Sequence, residues 1–150
     1  MSANHPPHRQ ASASARRFVW PGNGFTGAGI CKAFDLVSGV PSNTDSPWWS
    51  LPETMRAAVG VHHAATSDAV RTMADAILAA CHGAFVSNFV RYDLPDGGGG
   101  GMAFQTIDGV TAAPLDVIPA TADADPGYHT GLSIIHVITA LDARAAASKL

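Results

Sequence analysis

Charged side chains are scarce in this sequence. Only 14% of its 150 residues are Asp, Glu, Lys or Arg, and Glu53 is the single glutamate, whereas soluble domains carry about 25% charged residues. The basic residues are scattered and the net charge is −3, which argues against a nucleic-acid partner. Since 47% of the residues are hydrophobic, a disordered chain is excluded too. The low charge indicates either an alanine-filled composition or surfaces that other parts of a larger assembly cover.

Long apolar runs and paired cysteines are missing as well. No stretch reaches the roughly 20 uninterrupted apolar residues of a membrane helix, so no membrane span is predicted. Cys31 and Cys81 lack the spacing of a zinc or disulfide motif and predict reduced, buried thiols. The arginine pair at 16–17 is followed by proline and glycines instead of the apolar core of an export signal, so a cytoplasmic location is expected.

The chain divides into a tail and one domain. Residues 1–15 are polar and without periodicity, which predicts a disordered tail, and residues 16–150 predict a single helical domain. Before the first helix the sequence is rich in glycine and aromatic residues. Strands are predicted here at Phe18–Trp20 and Gly29–Leu36, with turns at Ser38-Gly39 and Pro41–Asn43.

Three long helices are predicted from the spacing of apolar residues. The first runs from Trp48 to about Ala65, and the second follows Ser67 as its N-cap. The third, from Tyr128 to Ala147, carries apolar residues around most of its circumference, which is typical of a helix buried on nearly all sides. A chain of this length with three helices has too few other elements to bury the third helix on nearly all sides. The apolar face of the second helix comprises Val70, Met73, Ala74, Ile77, Leu78, Cys81, Phe85 and Phe89, with Arg71 and Asp75 opposite.

Two glycine-rich segments have the glycine spacing of phosphate-binding loops but lack the neighbouring residues and elements that such loops need. The GxGxxG spacing at residues 22–27 has neither a buried strand before it nor a helix after it, so a turn-rich loop is predicted. The glycines at 97–101 lack the lysine and serine of a phosphate loop and predict a flexible connection. A further strand is predicted at Met102–Thr106, followed by a loop rich in Asp and Pro.

Glu53 stands at the start of the first helix, where two interpretations are open. Ser50-x-x-Glu53 has the spacing of a capping box, in which the glutamate bonds the helix's own backbone. Alternatively the carboxylate faces a pocket. The adjacent Trp48 and Trp49 are either core anchors or flat surfaces on which a sugar ring stacks.

His129 opens the third helix directly after an acidic loop that contains Asp123 and Asp125. A histidine in this position is either a proton-transfer group or one that only satisfies local hydrogen bonds. The pair His62-His63 lacks the spacing of a zinc-binding helix, so no metal site and no cofactor are expected.

The order of these segments resembles the C-terminal hairpins of the (α/α)6 toroid carbohydrate enzymes, and most closely the N-acylglucosamine 2-epimerase-like family. The resemblance covers roughly residues 29–147 and is carried by Ala33-Phe34-Asp35, Trp48-Trp49-x-x-x-Glu53 and Pro126-Gly127-Tyr128-His129-Thr130-Gly131. It implies a mainly α fold, a partial (α/α)6 toroid of about three long helices with short β-hairpins between them. Residues 16–150 would then be the C-terminal third of a larger ring.

The resemblance also implies a function, a fragment or subunit of a sugar epimerase or isomerase. His129 and Glu53 would supply acid-base chemistry at a small-molecule sugar, while Trp48, Trp49, Tyr128 and Asp125 would bind it. A second chain would complete the toroid. Two alternatives stay open: a glycoside hydrolase or polysaccharide lyase toroid, and a noncatalytic helical remnant or interaction module that binds a partner through its first and third helices.

Overall fold

The structure is a computed structural model that describes residues 24–90, 103–115, 117 and 128–149. Helices make up just over half of the described residues, and the strands form two small antiparallel pairs. The prediction of a mainly helical chain with three long helices is confirmed. In chain order the elements are β1 (Ala33–Asp35), β2 (Val40–Asn43), β3 (Asp45–Pro47), α1 (Ser50–Ala64), α2 (Asp68–Asn88), β4 (Thr106–Asp108) and α3 (Tyr128–Ala147).

The ends of the helices follow local chemistry. Ser67 caps α2 as predicted, since its hydroxyl accepts a hydrogen bond from the amide of Val70 at 3.4 Å. The start of α1 lies two residues later than predicted, because Trp49 occupies the N-cap position. Pro52 is accommodated in the first turn, where its missing N–H leaves no hydrogen bond unmade. The predicted bounds of α3 coincide with those of the structure.

The strands flank the start of α1. β1 and β2 form a hairpin whose turn passes through Gly39 with a φ of 71°, the left-handed region that glycine tolerates. The turn predicted at Pro41–Asn43 is wrong, because these residues pair with β1 as part of β2. β3 pairs with β4, which begins at the last residue of the predicted strand Met102–Thr106. Of the predicted strand Gly29–Leu36 only Ala33–Asp35 is a strand, and of Met102–Thr106 only Thr106 belongs to one.

The core lies between α1 and its two neighbours. Leu51, Met55 and Val59 project from one face of α1 and are almost fully buried. α2 meets them with the apolar face that the periodicity predicted, although Met73 is exposed. The buried cluster comprises Phe25, Leu51, Met55, Val59, Cys81, Ala84, Phe85, Phe89, Ile107 and Val137.

Ion pairs establish the relative directions of the helices. Asp75, in the second turn of α2, binds Arg144 near the end of α3 at 3.0 Å and lies 3.6 Å from His62 near the end of α1. Asp75 was predicted to lie opposite the apolar face of α2, but it contacts both neighbouring helices. Hydrogen bonding to Arg144 lowers the pKa of its carboxyl. α3 runs parallel to α1 and antiparallel to α2, because the starts of α1 and α3 also meet.

α3 is not buried on nearly all sides. Its buried residues are Ser133 and Val137, and besides Tyr128 four large aliphatic side chains remain exposed. The exposed fractions are 46% for Leu132, 61% for Ile135, 53% for Ile138 and 39% for Leu141. We call these four residues the α3 stripe. The sequence predicted apolar surface that other parts of a larger assembly cover, and in this structure α3 carries such surface exposed.

α2 is the one helix among the described residues that is long and apolar enough to cross a membrane by length and composition alone. Core helices of soluble proteins pass the same test, and the α2 face described above packs on α1. The length and composition of α2 are therefore weak evidence for a membrane span.

Several predictions fall outside the described residues. These are the tail at 1–15, the strand at Phe18–Trp20, the glycines at 97–101 and the acidic loop with Asp123 and Asp125. Of the GxGxxG segment, Gly24 and Gly27 lie in a turn closed by the pairing of Phe25 with Ile30, and no helix follows. The described part of that segment is thus the predicted turn.

Candidate functional site

Glu53 and His129, 76 residues apart in the chain, are in direct contact. Nδ1 of His129 lies 2.8 Å from Oε1 of Glu53. Glu53 stands in the first turn of α1 and His129 is the second residue of α3. The two side chains meet because the parallel helices begin side by side.

The capping box is not formed. Ser50 is already inside the helix, and its hydroxyl donates to the carbonyl of Pro47 at 2.7 Å. The backbone amide of Glu53 donates to the carbonyl of Trp49 at 3.2 Å, while the carboxylate points away from the helix backbone toward α3. Of the two interpretations of Glu53, the structure therefore excludes the cap.

Both oxygens of the Glu53 carboxylate have a donor. Arg56, one turn further along α1, lies 2.5 Å from Oε2, and His129 occupies Oε1. A neutral imidazole in this arrangement carries its proton on Nδ1 and its basic lone pair on Nε2. The side chains of Glu53 and His129 are 22% and 43% exposed, so neither is sealed from solvent.

Aromatic rings surround His129. The ring of Trp49 lies 5.7 Å from the imidazole at an interplanar angle of 36°, and Tyr128 meets it edge-on at 5.4 Å. Trp48 is placed differently: it packs against the core, and its backbone amide donates to Gln105 at 3.0 Å. The structure thus brings together four of the six predicted site residues, Glu53, His129, Trp49 and Tyr128. Asp125 lies outside the described residues.

An open groove of about 400 Å³ lies beside this pair. Trp49 and Glu53 belong to its wall, and His129 contacts both of them without being one of the lining residues. The volume is at the lower end of the range for small-molecule sites. The lining residues are Ile30, Cys31, Lys32, Pro47, Trp49, Ser50, Glu53, Thr54 and Ala57.

The two cysteines are free thiols. Burial raises the pKa of the Cys81 thiol to about 11, and burial also raises that of Cys31 despite two backbone hydrogen bonds that lower it. Both thiols are therefore protonated at neutral pH and are poor nucleophiles. Within the described part of the chain no three His, Cys, Asp or Glu side chains are grouped as metal ligands.

Sequence reasoning missed Arg56 and Lys32. Arg56 could have been found, because a cation three residues after a helical glutamate lies on the same face. Lys32 gave no signal, since only the folding of the segment before β1 against the start of α1 brings it to the groove. No family model, curated protein or solved structure matches this chain, so geometry and chemistry alone carry its functional interpretation.

Proposed function

We propose that the Glu53–His129 pair is the acid-base unit of a sugar epimerase or isomerase, in a chain that represents part of an (α/α)6 toroid. The contact between the two side chains carries this proposal. A base beside a reducing sugar removes the proton next to the carbonyl, and the resulting enediolate is reprotonated from solvent or from the same residue.

The roles of the two residues differ. His129 transfers the proton through Nε2, while Glu53 orients the ring and balances the charge of the imidazolium that forms. Arg56 holds the second carboxylate oxygen, so the carboxylate cannot rotate away from the ring without losing that ion pair. Glu53 is in this scheme a positioning residue for His129.

The surroundings suit a sugar. Trp49 offers an exposed ring beside His129, and the aromatic face packs well on the C–H face of a pyranose. The groove is open, as expected if further hairpins of a ring, or a second chain, supply the opposite wall. The parallel α1 and α3, with α2 antiparallel between them in sequence, match the alternation of inner and outer helices in a toroid.

Hydrogen exchange at carbon tests the proposal directly. Reducing sugars and N-acylhexosamines are incubated with the protein in D2O, and loss of the C2–H signal is followed by NMR. We expect catalysed exchange for at least one sugar, lowered about 10²–10⁴-fold by His129→Asn. His136→Asn is the matched control, because His136 is an exposed histidine on the same helix and should leave the rate unchanged.

Three outcomes would count against an epimerase. Exchange that is absent for every sugar excludes the chemistry in this chain, and equal rates for H129N and H136N exclude His129 as the base. Cleavage of an oligosaccharide without C2–H exchange would instead favour the hydrolase or lyase alternative.

The α3 stripe favours a second candidate function, self-association. Its order, Leu132, Ile135, Ile138 and Leu141, reads the same in both directions at a spacing of three residues. An antiparallel second copy would pair Ile135 with the other copy's Ile138 at the centre of a two-fold interface. Leu132 and Leu141 lie about 180° apart around the helix and so would flank that interface on its two sides. Ile135 and Ile138 are 61% and 53% exposed, so the centre of that interface is apolar surface open to solvent.

Light scattering after size-exclusion chromatography tests this candidate. We expect a dimer for the native chain and a monomer for Ile135→Glu, because a glutamate at the centre of the stripe would be buried without a partner. Val110→Glu, an equally exposed valine after β4, should not change the mass. A native chain that is monomeric at every concentration would rule out self-association through α3.

A further inference from the structure

The groove contains a cation, Lys32, that forms no ion pair within the described part of the chain. Lys32 is exposed and lines the groove, and its backbone amide is held by the carbonyl of Asp45 at 2.7 Å. Its ammonium group, by contrast, has no hydrogen bond or ion pair to any residue that the structure describes.

The other polar side chains of the groove wall are already engaged. The hydroxyl of Ser50 donates to Pro47, and that of Thr54 donates to the carbonyl of Ser50 at 2.8 Å. The carboxylate of Glu53 is bound by Arg56 on one oxygen and by His129 on the other. The protonated thiol of Cys31 carries no charge, so Lys32 is the one cationic donor among the described residues that line the groove.

Two charged side chains line the groove, Lys32 and Glu53, and Arg56 binds the Glu53 carboxylate from outside that lining. A neutral sugar would leave the ammonium facing water, whereas an acidic one would satisfy it. The remaining lining residues are mostly apolar or aromatic and suit the rest of a sugar ring.

We propose that the groove selects sugars that carry an anionic group, a carboxylate or a phosphate, and that the ammonium of Lys32 receives that group. This inference rests on the proposed function, because it names the substrate class of the same site. Glu53 and His129 act on the carbonyl end of the sugar, and Lys32 determines which sugars are held.

Matched pairs of ligands test the inference by calorimetric titration. D-glucuronate and D-glucose 6-phosphate are each compared with D-glucose. We expect the acidic sugars to bind about 10-fold tighter than glucose to the native chain, as a charge-assisted contact provides, and the difference to shrink at high salt. Lys32→Met should abolish the difference between acidic and neutral sugars, and Lys32→Arg should retain it.

Lys149→Met is the control, since Lys149 is the only other lysine in the chain and lies after α3, away from the groove. It removes the same charge and should leave the preference intact. Equal binding of acidic and neutral sugars by the native chain, or equal losses in K32M and K149M, would overturn the inference while the acid-base proposal stands. Absence of binding by every sugar would overturn both. If the native chain catalysed no C2–H exchange and H129N still preferred acidic sugars, the inference about Lys32 would stand and the epimerase proposal would fail.

Discussion

Replacing Phe89 by alanine is expected to lower the free energy of unfolding by about 3–5 kcal/mol. Phe89 follows the last turn of α2, is fully buried, and stacks on Phe85 with ring centroids 5.9 Å apart. Its ring also lies close to Gly29, so it joins α2 to the segment before β1. Truncation leaves a cavity that the surrounding helices and strands fill only in part.

Chemical denaturation followed by circular dichroism measures the loss of unfolding free energy. Thermal melting should show a fall in Tm of about 10 °C for a domain of this size. Met73→Ala is the control on the same helix, because Met73 is 46% exposed and its truncation should change stability by no more than about 0.5 kcal/mol. A loss below 1 kcal/mol for F89A would show that Phe89 does not anchor the core.

Gly109→Ala is expected to destabilise the protein by about 2–3 kcal/mol. A Cβ atom there would overlap the backbone carbonyl oxygen of Thr44 and lie 2.9 Å from the hydroxyl oxygen of Ser46. The carbonyl cannot retreat easily, because it accepts the amide of Gly109 at 3.1 Å and the neighbouring Asp45 pairs with Asp108. The new methyl group must therefore separate β3 from β4.

Replacing glycine by alanine at two helical positions should instead stabilise the protein. Gly60 in α1 and Gly83 in α2 have no atom within 4 Å of the position where a Cβ would stand. Alanine stabilises a helix interior by about 0.5–1 kcal/mol relative to glycine, so G60A and G83A should raise the unfolding midpoint. If G109A melted at the native temperature, the close packing of β3 and β4 around Gly109 would be wrong.

The helices could be predicted because their signals are local. The cap at Ser67, the apolar spacing of α2 and the bounds of α3 depend on residues a few positions apart. The strands were predicted less well, because each has three or four residues and owes its conformation to a partner elsewhere in the chain. Pro41–Asn43 shows this: its composition favours a turn, yet pairing with β1 makes it a strand.

The candidate site divides in the same way. Glu53 and His129 could be singled out because each stands at the start of a helix, but the sequence left open whether Glu53 bonds its own backbone. Only the packing of α3 against α1 answers that question, since it supplies a nitrogen 2.8 Å from the carboxylate, 76 residues away. Packing also places the two tryptophans differently, since Trp48 packs against the core and Trp49 lines the groove.

By itself the sequence determined the helical class, the cap of α2, the ends of α3 and an apolar excess that the described fold leaves exposed. These properties follow from hydrophobic spacing and from side chains that bond the backbone nearby. Tertiary structure alone decided that α3 runs parallel to α1, that its stripe faces outward, and that Lys32 lies in the groove that Glu53 helps to line. Contacts between residues far apart in the chain come from the packing of whole elements, and no local pattern records them.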